Sequence, residues 1–280
     1  MGPLPPSGSS FWSTVDAGFS TVGLAIGRTA VGIGSSVAHA YNALDPDLRR
    51  HLVQLPLMGL SYLTPGRLQI QALPDDGRRV VIFVHGLGGH RGNFLPMLSC
   101  FRWLGRKRVL SIGFRERDSI ATMADQLRAL LREVIEVNQL PDQNAIDLVT
   151  HSMGGIIARL ALEDKALAPA IAHMVTLGTP HSGTQLARLL QTSKVRDLRP
   201  GSELLERLER QLPWPGPPEK PRLTALWSPA DLVLMPPESA AVKGAHNIRL
   251  EGFSHFSYLL HPQSWKRVFD LLEPNDLEGG

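Results

Sequence analysis

The chain has 280 residues, 43% of them hydrophobic and 20% charged, enough to bury a full core in a single large domain. Its formal charge of +3 is small for that length, and with 6% aromatics and only short basic runs at 102–108 and 49–51 it lacks the interleaved basic stripe of a nucleic-acid binder. A single cysteine, Cys100, excludes an intrachain disulfide, and its neighbours Leu98, Phe101 and Leu104 mark it as a small core residue.

Residues 1–10 are a Pro/Gly/Ser-rich tract expected to be disordered. No basic residue precedes Arg28, so a typical secretory signal is not expected, and a cytoplasmic or membrane-associated location is. Residues 11–65 read as a helical extension. Phe11, Val15, Phe19, Val22, Ile26, Ala30, Ile33, Val37 and Tyr41 recur every three or four residues, with a Gly/Ser/Thr-rich face opposite. Arg28 divides the charge-free stretch into pieces shorter than the roughly 20 residues a spanning helix needs. Three readings stay open for Phe11–Tyr41: packing on the domain, lying on a membrane surface, or an oligomer contact. A second helical stretch follows at Leu48–Leu63.

From residue 66 to 280 the pattern is that of an α/β domain. Val80–His85, Arg108–Phe114, Ala145–Thr150, His173–Leu177, Leu223–Trp227 and Asn247–Leu250 read as strands. Amphipathic helices are expected through Ile120–Ile135, from Met153 to about Asp164, and at Ser264–Leu272. Such alternation predicts a mostly parallel central sheet with helices on both faces. Ligands of such sheets bind beyond the carboxyl ends of the strands, so reactive side chains should stand directly after strands. They do, in the turns at 85–89 and 151–155, at Asp231 and at His255.

In Thr150-His151-Ser152-Met153-Gly154-Gly155 a strand meets a helix with no loop between, a turn that lifts a serine hydroxyl above the sheet. The alternative for Ser152 is a helix cap. Thr150 stands where G-x-S-x-G has its first glycine, and is expected to tighten the space near the serine. The backbone N–H groups of Met153 and Leu87 are the candidate oxyanion donors. The glycines of 85–89 do not form a phosphate loop, since neither G-x-G-x-x-G nor Gly-Lys-Ser follows.

VVIFVHGLGGHRGNF, VTHSMGGIIARL, LGTPHSGT, SPADLVLMP and SHFSYLLHP, in that order, resemble the bacterial triacylglycerol lipase and esterase branch of the α/β-hydrolase superfamily, over roughly Val80–Leu271. The resemblance implies an eight-strand-type sheet, no cofactor, and hydrolysis of carboxylic esters through an acyl-enzyme, with a leaning towards medium or longer acyl chains.

In that fold the triad runs Ser, then Asp or Glu, then His. His255 follows the last strand and is the favoured base, ahead of His181 and His261. Asp231 lies four residues past its strand and is the favoured acid, ahead of Glu238; Asp147 lies on the serine's own strand and points wrongly. Between about 184 and 220 an insertion reads as a helical cap or lid, or as an ordinary surface helix, with a stripe of Leu204, Leu205 and Leu208 begun by Ser202. Those leucines, with His151 and His181, are the candidate pocket residues. The expected ligand is a small-molecule or lipid ester, a polyester included, with neither metal nor nucleic acid. A thioesterase, amidase, acyltransferase or polyester depolymerase would use the same triad. A catalytically silent binding module is the alternative from another class.

Overall fold

The computed structural model describes residues 70–273, apart from 116–117, 190–191, 211–213 and 215–220, together with part of 43–59. The expected tail at 1–10, the Phe11–Tyr41 helix and most of the stretch at 48–63 lie outside the described residues.

The strands are β1 (Val80–Val84), β2 (Val109–Ile112), β3 (Ile146–His151), β4 (Ile171–Leu177), β5 (Arg222–Trp227) and β6 (His246–Arg249). They form one sheet in the order β2-β1-β3-β4-β5-β6, every neighbouring pair parallel. β1, β3 and β4 are buried along their whole length; β1 is an unbroken apolar run, while β3 and β4 also carry Asp147, Thr150, His151, His173 and Thr176 into the interior. The eight-strand sheet implied by the resemblance is not reached: among the described residues there are six strands.

The helices are α1 (Leu95–Trp103), α2 (Ile120–Val137), α3 (Met153–Ala161), α4 (Ser193–Arg196), α5 (Glu203–Glu209), α6 (Ser257–Leu260) and α7 (Pro262–Leu272). α2 begins where Ser119 accepts a hydrogen bond from the Thr122 N–H at 3.1 Å. Its Ile120, Met123, Leu127, Leu131 and Val134 form one buried stripe, packed with α3 on one face of the sheet. On the other face Phe94, Phe101, Trp265 and Val268 join α1 and α7 over Phe83 and Val175. Each such side chain contributes about 1.5–3 kcal/mol through burial.

Strand order places the functional end. From β1 the chain steps outward to β2, then returns to β3 on the opposite side of β1. The connections leaving β1 and β3 therefore part in opposite directions and open a crevice at the carboxyl edge. The turns at 85–89 and 151–155 both rise from it. At the other edge Asp147 is fully buried, bound by Arg79 Nε at 2.9 and 3.0 Å and with Arg106 at 3.7 Å. Asp147 is therefore spent on holding the sheet's entry end.

Among the described residues no helix is long and apolar enough to cross a membrane.

Candidate active site

Ser152 sits at φ 55°, ψ −131°, directly before α3. Its side chain makes no capping bond, so the helix-cap reading of this serine is not realised. A non-glycine residue there stores about 1–3 kcal/mol of strain and needs its surroundings to impose it. They do so through the backbone. Ser152 N–H donates to Leu177 O at 2.9 Å and Gly155 N–H to Ser152 O at 3.1 Å.

Three glycines let neighbouring chain close around that turn. A methyl group on Gly86 would lie 2.7 Å from Ser152 Cβ, and one on Gly154 would lie 2.5 Å from Val84 O. One on Gly155 would run into the Thr179 side chain. Thr150, in the position of the missing first glycine, is fully buried within the sheet, where its hydroxyl donates to Val175 O at 3.4 Å. Thr150 is not part of the cavity lining, so it does not restrict the space beside Ser152 directly.

Asp231 and His255 come together although 24 residues separate them. Asp231 is fully buried; its Oδ2 accepts from His255 Nδ1 at 2.9 Å and its Oδ1 from the Val233 N–H at 3.0 Å. That bond puts the imidazole proton on Nδ1 and leaves Nε2 as the accepting nitrogen. Ser228 ties the two turns together, its Oγ accepting from Ala230 N at 3.2 Å and from Phe253 N at 3.1 Å. Tyr258 packs beside them; burial, and then the charge of Asp231, push its phenol well above the ordinary range and keep it protonated.

Two further histidines brace the site. His151 Nε2 donates to the carbonyl of His255 at 2.9 Å, the two rings lying 4.6 Å apart between centroids. Burial, and then the neighbouring His255, hold the His151 imidazole well below its ordinary range, so it is neutral. His85 Nδ1 donates to Gly86 O at 2.9 Å while its Nε2 accepts from Phe114 N at 3.3 Å, which braces its turn.

A cavity of about 420 Å³ is lined by Ser152, His255, His151, Asn93 and the turn 86–89. Leu87, Leu186, Ala187, Val195, Leu198, Val233, Leu234 and Phe256 make most of its wall apolar, and Gly59 also contributes. Met153 follows Ser152 at the first position of α3, where the helix dipole adds to its N–H.

Four of the expected pocket residues lie elsewhere. His181 is buried between Arg159, whose Nη1 reaches its Nδ1 at 3.3 Å, and Thr176, whose Oγ1 accepts from its Nε2 at 3.1 Å. Leu205 and Leu208 turn the α5 stripe into the core, with Leu204 packed against it. The C-terminal end of that stripe is pinned where Arg159 Nη2 donates to Leu208 O at 2.6 Å. The insertion does line the cavity, but through Leu186, Ala187, Val195 and Leu198. The other candidates for base and acid are engaged or remote. His261 accepts from Gln263 N at 3.2 Å to cap α7, and Glu238 is exposed in the turn Pro237–Ala240.

The comparisons with known proteins agree with this architecture. A family model described as a PGAP1-like alpha/beta domain matches residues 114–197, which include the serine turn. The lipase BlEst2 of Bacillus licheniformis, in mature form, superposes with a TM-score of 0.61 at 20% identity, covering 74% of this chain and 96% of that one. The chain has the α/β-hydrolase fold. Lipase B of Aspergillus fumigatus superposes with a TM-score of 0.56 at 13% identity, over 72% of this chain and 54% of its own. A curated triacylglycerol lipase of Burkholderia plantarii is 28% identical over 155 residues, 50% of this chain. The match spans 41% of that lipase's length. Among the described residues, no group of three or more His, Cys, Asp or Glu side chains is gathered to hold a metal ion.

Proposed function

We propose that this α/β hydrolase cleaves carboxylic esters through an acyl-enzyme on Ser152, with His255 as base and Asp231 as its supporting acid. One observation carries the reading. A histidine bonded at 2.9 Å to a buried aspartate shares a single cavity with a serine held at φ 55°.

The chemistry follows from the groups present. Ser152 Oγ attacks the ester carbonyl as its proton passes to His255 Nε2, and Asp231 stabilises the imidazolium. The negative charge on the carbonyl oxygen is met by the N–H groups of Met153 and Leu87, each such donor lowering the barrier by about 2.7–4 kcal/mol. The C–O bond then breaks as His255 returns the proton to the leaving alkoxide. Water, activated by the same histidine, releases the acid and restores Ser152.

The apolar wall favours an ester with a hydrocarbon acyl group, and about 420 Å³ lies in the range of a small-molecule pocket. Exposed Leu189, Leu232 and Met235 extend this apolar character along the two segments that supply the wall. A lipid ester of medium chain length fits that chemistry, in keeping with the triacylglycerol lipase among the relatives. Ser152→Ala should abolish turnover of p-nitrophenyl esters, a loss of about 10⁶-fold in kcat, while the circular dichroism of the fold is unchanged. Retained ester turnover rejects the reading. An amide and a thioester assayed beside the esters separate an esterase from an amidase or thioesterase.

A further inference from the structure

The turn that carries His255 is tied to the N-terminal part of the chain. Ser254 and Ser257, one residue before His255 and two after it, are both buried, and their hydroxyls lie 2.9 Å apart. Gln54 reaches this pair from 200 residues earlier. Its Oε1 accepts from Ser254 Oγ at 2.5 Å and its Nε2 donates to Ser257 Oγ at 3.1 Å.

Counting protons gives the arrangement a single sense. Ser254 spends its hydroxyl proton on Gln54, so Ser257 must donate to Ser254. Ser257 Oγ in turn accepts from Gln54 Nε2 and from the Ser254 N–H, the latter at 3.1 Å. The three side chains thus close a ring in which each donates and accepts, an arrangement whose bonds strengthen one another in a buried site. An amide suits the closing position because it offers a donor and an acceptor side by side. Gly59, five residues on, lines the cavity that holds Ser152 and His255.

We infer that Gln54 is a positioning residue for His255. The inference rests on the proposed role of His255. A base must be held to a fraction of an ångström, and a misplacement of about 1 Å can cost 100-fold in rate. Removing Gln54 leaves Ser254 and Ser257 bonded to one another and leaves the Ser257 N–H to Ser254 O bond of 3.0 Å in place. The turn should survive with its freedom increased, so the loss falls on rate more than on stability.

Full-length Gln54→Leu, Gln54→Glu and Ser254→Ala test this beside the wild type, with active sites counted by saturating fluorophosphonate. Per titrated site, Gln54→Leu and Ser254→Ala should each lower kcat by about 10- to 100-fold with KM within about twofold. Gln54→Glu, which keeps an acceptor for each hydroxyl, should recover most of that loss. A kcat per site within about twofold of wild type in either of the first two variants overturns the inference. So does a loss explained wholly by fewer titratable sites, which marks a brace for folding only. A wild-type enzyme that neither turns over esters nor labels at Ser152 rejects the proposed function instead, so the two failures are separable.

Discussion

Burial sets the protonation of His85, His151 and His181, and the partners of their ring nitrogens divide the work among them. His85, His151 and His181 are each held below the ordinary imidazole range, chiefly by desolvation. At the far end of β4, His173 is lowered to about 4 by burial and then by Arg222 and Arg79. The unfolded chain takes up a proton at each of these positions near pH 6.5, while the folded chain does so only at lower pH. Stability is thus fully present above pH 6.5 and is lost as the pH falls towards 4, with about 3 kcal/mol of that loss belonging to His173. Urea unfolding followed from pH 7 to pH 4.5 should show this decline, and His173→Gln should flatten it; an equal slope in the variant would contradict the account. The sequence places His85, His151 and His255 after strands because their spacing from the apolar runs is local. Their tautomers depend on Gly86 and Phe114 for His85, on the His255 carbonyl for His151 and on Asp231 for His255, and all but Gly86 arrive from separate segments that no local pattern reveals.

At the level of elements the serine turn and the insertion differ in how far sequence reaches. The turn is legible because its demands are local, with an apolar strand, a serine and glycines against which other backbone packs. Gly154→Ala tests that crowding. The methyl group would meet the carbonyls of Val84 and His85, at 2.5 and 2.7 Å, which are backbone and cannot rotate aside. Thermal unfolding should show a loss of about 1–3 kcal/mol, with ester turnover falling further as the serine turn shifts. A variant as stable as the wild type would show that the turn has slack. The insertion is harder to read. The leucine stripe at 204–208 correctly marks a buried face, but periodicity does not say what it meets: it joins the larger core cluster, with Arg159 of α3 bonded to the Leu208 carbonyl. The residues that reach the cavity lie in the short turn Gln185–Arg188 and in and after α4, pieces too brief to carry a period. Asn93 is similarly hidden: its Oδ1 accepts from His90 N at 2.8 Å, a local turn that also brings it into the cavity wall.

At the scale of the molecule, the six strands among the described residues and their parallel sense follow from the alternation of apolar runs and amphipathic helices. Their order does not, because every βαβ step satisfies the same pattern on either side of β1. The order β2-β1-β3 decides where the crevice opens, and it gathers the turns at 85–89 and 151–155 at one edge. The long-range approach of the 231 and 255 turns then completes the cavity. Its size and apolar wall predict that turnover of p-nitrophenyl esters rises from acetyl to medium-chain acyl groups and falls for palmitoyl. A profile flat across chain length would mean that the cavity does not receive the acyl group. The central claim meets its most direct test in the mass of the protein after brief exposure to a fluorophosphonate, followed by peptide mapping. One adduct is expected, on Ser152, absent from Ser152→Ala and formed far more slowly in His255→Ala. No adduct, or one on another residue, would contradict it.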